Sequence, residues 1–112
     1  MFSHIMIGSN DIDRSKKFYD ALFAAMGAQP GTVDARGRLA YSHNGGRFMV
    51  SKPIDGKPAS SANGGTIGFL MSDAKMAEAW QRRHCEWRYV DRGSARRAPE
   101  RRLSCLSSRP RW

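Results

Sequence analysis

Cysteine is scarce in this chain: two residues, Cys85 and Cys105, both late in the sequence. Such a pair cannot build a multi-bridge disulfide framework, and no Cys/His spacing of a metal-binding kind accompanies it. Long apolar runs are also missing. None approaches the ~20 residues that a membrane-spanning helix requires, so a membrane is not an expected partner. The start, "MFSHIMIGSNDIDRSKK", lacks the basic stretch and apolar core of a secretory signal, and the default expectation is a cytoplasmic protein. At 112 residues the chain has room for one core, not two independent ones. The last scarcity is local. From Arg82 to Trp112 there is no lysine, and Val90 is the single β-branched residue. That segment holds ten arginines against three acidic residues, a difference of +7, whereas Met1 to Gln81 holds nine basic and seven acidic, a difference of +2. The overall charge of +9 is therefore a property of the tail, "GSARRAPERRLSCLSSRPRW" included, and not of the body.

The body reads as regular structure. In "FSHIMIGS", Ile5 and Ile7 point to one face and Phe2, His4 and Met6 to the other, the alternation of a strand. In "SNDIDRSKKFYDALFAAMGA", Asp11 is placed to cap a helix over 12–26. Ile12, Phe18, Tyr19, Leu22, Phe23 and Met26 recur at helical spacing, Lys16, Lys17 and Asp20 take the wet side, and Gly27 is the stop. Asp11 and Asp13 read as cap and helix-dipole partners, not as a catalytic pair. "GRLAYSHNGGRFMVSKP" predicts a hairpin turning at Asn44-Gly45, which leaves His43 at the surface beside the turn. "KPIDGKPASSANGG" is a connection long enough for a functional loop or a joint between modules. "NGG" there is a turn and not a phosphate loop. A strand over 66–71 ("TIGFLM") follows, with a second helix from about Asp73, capped by Ser72 or Asp73. The second half thus begins by repeating the first, as an internally duplicated strand–helix–strands module would.

The stretches "FSHIMIGSNDIDRSKKFYDALFAAMGA", "GRLAYSHNGGRFMVSKPIDGKPA" and "NGGTIGFLM" together resemble the glyoxalase/bleomycin-resistance/dioxygenase (vicinal-oxygen-chelate) superfamily over residues 1 to about 81, most specifically in "SNDIDRSKKFYDAL". The resemblance implies an α+β fold of paired βαβββ modules whose sheets curl into a cup, here with the second module incomplete after its helix. It implies a glyoxalase-like domain over 1–81 and an arginine-rich segment over 82–112 that does not belong to it. The "DPDGN"-like turn common in such second modules is missing. Back-translated and shifted by one nucleotide, however, the tail supplies it. Arg83 to Arg97 becomes readable as GIANGGTSIEDPPGV, and Cys105 to Trp112 as AYLRDPDG. The single codon of Trp87 forces the glycine in the first string. The tail accordingly reads as out of frame and poorly ordered, and its charge as a by-product of a GC-rich gene.

The resemblance places His4 where many members hold their first metal ligand, on the face that lines the cup. A neutral imidazole there suits Zn, Ni or Fe. The matching position in the second half is Thr66, a poor ligand, and the acidic ligand of the last strands is missing. The ligand set is incomplete, and no divalent metal (Zn, Ni, Fe or Mn) is expected unless the family site were whole. The plainer reading of His4 is a hydrogen-bonded, cup-facing histidine. His4, Met6, Tyr41, Met49 and Thr66 are the candidate cup residues, and Arg47 is a further one. Strand packing explains Tyr41, Met49 and Arg47 equally well. The functions that follow are a glyoxalase-like protein of unknown substrate and a non-catalytic small-molecule binder of the bleomycin-resistance type, each a homodimer if intact. A third, of another class, is nucleic-acid binding. Arginines would neutralise phosphates, and Trp87, Tyr89 and Trp112 would stack on bases. The tail has no recognisable motif for that role.

Overall fold

A computed structural model of the chain describes residues 1–90. It divides into two compact units between Leu70 and Met71. The first unit runs β1 (Ile5–Gly8), α1 (Ile12–Ala24), β2 (Thr32–Val33), β3 (Leu39–His43) and β4 (Gly46–Ser51), which is one βαβββ module. The four strands form one sheet in the order β1-β4-β3-β2, with β1 parallel to β4 and the other pairs antiparallel.

Local chemistry sets each boundary. Asp11, with extended backbone, accepts the Arg14 amide on its side chain at 2.9 Å and so satisfies a free donor of the first turn of α1. Beyond the helix, Gly27 adopts φ +77°, the left-handed geometry glycine reaches at least cost. Asn44 and Gly45, at φ +47° and +78°, make the tight turn between β3 and β4 whose twist matches the flanking strands. β2, which the sequence pattern did not single out, is only two residues long and pairs with β3.

Pairing fixes the faces. Ile5 lies opposite Phe48 and Ile7 opposite Val50 on β1 and β4. Leu39 lies opposite Val50, and Tyr41 opposite Phe48, on β3 and β4. These residues share one face, and α1 covers it: Phe23 meets Tyr41 and Phe48 edge-on at 4.9 and 5.4 Å, and Tyr19 meets Phe48 at 4.9 Å. Leu22, Leu39 and Val50 are the most deeply buried side chains. Met6 and Met49, paired across β1 and β4, belong to the opposite face, as does Gly8. A side chain at Gly8 would meet the Ala59 methyl at 3.1 Å, so the loop after β4 packs against that end of β1. Asn10 holds the loop there with both ends of its carboxamide, donating to the Ala59 carbonyl and accepting from the Ala59 amide at 3.2 and 2.6 Å.

A part-buried polar knot joins α1 to the sheet. The Asp20 carboxylate accepts from the Tyr41 hydroxyl (2.8 Å), the Gly31 amide (2.9 Å) and the Lys16 ammonium. Gly31 has no substitute, because a Cβ there would fall 2.5 Å from the Tyr41 ring. Partial burial alone would raise the Asp20 pKa, but the three hydrogen bonds and the Lys16 charge outweigh it and the net shift is downward from 3.8. A depressed carboxylate stabilises the fold above its unfolded pKa, and the contribution is lost as pH falls through the folded value. Acid titration of the melting temperature should therefore show stability falling below about pH 4, and Asp20→Asn should flatten that slope. Asp34, whose pKa is lowered by its bonds from the Arg38 backbone and side chain, retains its own part of the slope in the variant. An unchanged acid limb in Asp20→Asn would dismiss the knot as a stabilising element.

The second unit contains α2 (Ala74–Val90), with the Asp73 carboxylate accepting the Met76 amide at 2.8 Å. One sequence expectation is corrected here. Residues 66–71 form no strand. A lone extended segment needs a neighbour to complete its ladder, and among the described residues it has none. Phe69 packs instead on Phe23 and Phe48, at 5.2 and 5.7 Å. The second helix, expected from about Asp73, runs past Gln81 to Val90. Arginine is a good helix former, and Arg83 pairs with Glu86 one turn on at 3.8 Å. The rest of the arginine-rich segment, from Asp91, lies outside the described residues, as does the expectation that it is poorly ordered.

Candidate functional site

The first unit contains a cavity of about 300 Å³ at the hairpin end of the sheet. Phe23 at the end of α1, Met26 just beyond it, Phe48 on β4 and Ile5 on β1 form one wall, and Ile67 to Leu70 form another. The aromatic floor follows from sequence spacing. Phe23 lies on the apolar stripe of α1, and Phe48 lies on the strand face that stripe covers. The side chains of His4, His43, Asn44 and Arg47, all able to donate hydrogen bonds, border the same space.

The candidate cup residues separate into three sets. His4 and Tyr41 both border the cavity. His4 is exposed just before β1, with Nδ1 2.9 Å from the Ser3 hydroxyl. Tyr41, by contrast, is only 4% exposed. It contributes its ring to the helix-facing side, while its hydroxyl is committed to Asp20 and the Lys16 carbonyl. Burial, reinforced by the hydrogen bond to the Asp20 carboxylate, drives the Tyr41 pKa far upward, so the phenol stays neutral as a structural donor and not a free cup group. Met6 and Met49 form the second set, a cross-strand pair on the other face of the sheet and outside the cavity lining. Met49 is buried, and Met6 is exposed with its sulfur accepting from the Ser51 hydroxyl at 3.5 Å. Thr66 stands alone, exposed and bordering nothing in the cavity.

His43, expected at the surface, is half-buried and borders the cavity. The signal was available: His43 has the parity of Leu39 and Tyr41 on β3 and so shares their face. Phe69 was missed as a cavity wall because its neighbours in space are far away in sequence.

Among the described residues, no grouping of side chains fits a divalent metal. A catalytic zinc-type centre takes three protein ligands, and among the described residues no three His, Cys, Asp or Glu side chains are grouped to hold an ion. His4 has a neutral hydroxyl as its hydrogen-bonding neighbour, no carboxylate borders the cavity among the described residues, and Thr66 lies apart from it. None of the described helices is long and apolar enough to cross a membrane.

No protein-family profile matches the chain, and no curated protein does. Among solved structures, the chain is similar to a glyoxalase/bleomycin resistance protein from Albidiferax ferrireducens T118. The two are 40% identical, with a TM-score of 0.72, over 77% of this chain and 68% of that one. Identity at that level across two thirds of a relative, joined to the βαβββ module built from "SNDIDRSKKFYDAL" and the Asn44-Gly45 hairpin, establishes that the chain belongs to the glyoxalase/bleomycin-resistance (vicinal-oxygen-chelate) superfamily.

Proposed function

We propose that this chain is a glyoxalase-like protein that holds a small molecule and, in this form, works without a metal centre. The supporting observation is the cavity of the βαβββ module, which combines an aromatic floor with a few hydrogen-bond donors at its border, the usual make-up of a small-molecule site. The substrate is unassigned. Lyase or dioxygenase chemistry of the kind the superfamily name covers would need a divalent ion to polarise substrate oxygens, and the donor set described above does not supply its ligands. That favours the binder of the bleomycin-resistance type over the enzyme. A homodimer in the cytoplasm is part of the same reading.

Elemental analysis of the purified chain is the deciding measurement. The expected result is no stoichiometric Zn, Ni, Fe or Mn. One ion per chain or per dimer, lost on His4→Ala, would overturn the metal-free reading and return the protein to the enzymes.

A further inference from the structure

The cavity has a charge character that its apolar walls do not require. Among the described residues its lining includes Arg47, His4, His43 and Asn44 but no Asp or Glu. Lys17, Arg36, Lys52 and Lys57 are exposed and lie outside this lining, and the part-buried Lys16 and Arg38 pair with Asp20 and Asp34. Arg47 has no such acceptor among the described residues. A guanidinium offers a planar fork of donors that fits a carboxylate with two parallel hydrogen bonds. Behind it stand Phe23, Phe48 and Phe69, packed edge to face at interplanar angles of 86°, 62° and 70°, an arrangement that offers ring edges and faces to a further flat ring.

We propose that the cavity takes an anion with a flat apolar body, an aryl carboxylate being the simplest member, and that Arg47 is its counter-charge and selectivity residue. This rests on the small-molecule reading above and adds the class of ligand to it. Size agrees, since about 300 Å³ is at the small end of ligand sites, with room for one or two rings. The carboxylate would lie at the border, between Arg47 and the side-chain donors of His43 and Asn44. The ring would enter against Phe48 and Phe23. An inorganic anion would gain the charge and waste the walls. A neutral aromatic would gain the walls and leave the guanidinium unmatched.

The test uses the full chain with three probes: 2-naphthoate, its neutral analogue 2-naphthalenemethanol, and inorganic phosphate. Affinity is read by titration calorimetry, and location by the backbone amide shifts of Phe23, Phe48 and Phe69. Charge-assisted bonding predicts that naphthoate binds roughly tenfold tighter than the alcohol, with no saturable binding of phosphate at the same concentrations. Arg47→Gln is exposed and should fold as the parent does. It should remove that tenfold advantage and leave the alcohol unchanged, while Arg47→Lys, which keeps the charge and loses the fork, should fall between. Equal affinities for naphthoate and the alcohol, or an Arg47→Gln chain that still prefers naphthoate, would overturn the charge assignment and leave the small-molecule reading standing. Phosphate binding as tightly as naphthoate would overturn the aromatic part. If no aromatic probe moves the cavity residues, the small-molecule reading falls, and this inference with it.

Discussion

Phe23→Ala should cost about 3–5 kcal/mol, the usual range for a buried phenylalanine truncated to alanine. Phe23 is 4% exposed, and it is the residue at which the module's layers meet. Its ring contacts Tyr19 on its own helix, Tyr41 and Phe48 on the sheet, and Phe69 on the segment before the second unit. Removing it leaves a void that four aromatic rings, each anchored in a different way, cannot jointly close. Small domains are stable by about 5–15 kcal/mol, so the variant should lose most of its folded population near 37 °C. Phe23→Leu keeps much of the volume and should be far milder. Phe2→Ala is the control, because Phe2 is 82% exposed and should change stability little. Urea or thermal melts followed by circular dichroism would decide. A Phe23→Ala midpoint no lower than that of Phe2→Ala would mean that the aromatic cluster is not the core.

That cluster also shows what was legible in the sequence. Phe23 was assigned to the apolar side of α1 by spacing alone. The faces of β1 and β4 were assigned by parity, and the hairpin by Asn44-Gly45. Each of these depends on neighbours within a few residues, where periodicity and turn chemistry act directly. What required the fold was long-range. Tyr41 has the parity of a core residue and the chemistry of a cup residue, and only the placement of Asp20 on the adjacent helix decides that its hydroxyl is occupied. "TIGFLM" alternates as a strand does, but a strand also needs a partner, and alternation cannot supply one. The reach of α2 past Gln81 was less legible, because the lack of a strand pattern there does not by itself announce a helix, although Arg82, Arg83 and Glu86 suit one well. The cavity was partly legible: His4, Tyr41 and Arg47 were named for it, whereas Phe69 joins it from 20 or more residues away.

Restoring the reading frame near codon 82 should give a sharply melting dimer, whereas the chain as written should melt over a broader range and self-associate more readily on heating. We propose this from the sequence of the tail together with the surface of the first unit. Phe2 and Leu70 are 82% and 93% exposed, and Ile5, Met6 and Ile67 are exposed as well. Ile5 and Met6 lie on β1, an edge of the sheet, and Phe2, Ile67 and Leu70 border the same cavity as Ile5; an uncovered apolar edge invites pairing with other chains. Covering roughly 200–400 Å² of such surface, at about 25 cal/mol per Å², is worth about 5–10 kcal/mol, comparable to the whole stability of a small domain. The written tail is ill suited to that task. It has one β-branched residue and ten arginines, and burying guanidinium groups without partners is costly. The shifted frame brings back isoleucine, threonine and valine, together with the DPPG and DPDG turns, so strand formers and turn residues return in one string. The nucleotide sequence across codons 78–86 tests the genetic half. Expression of both versions, compared by thermal melt and size-exclusion chromatography, tests the physical half. A sharp transition in the chain as written, with amide protection in a strand-forming tail, would show that the arginine segment is a working part of the fold and that no second frame is needed.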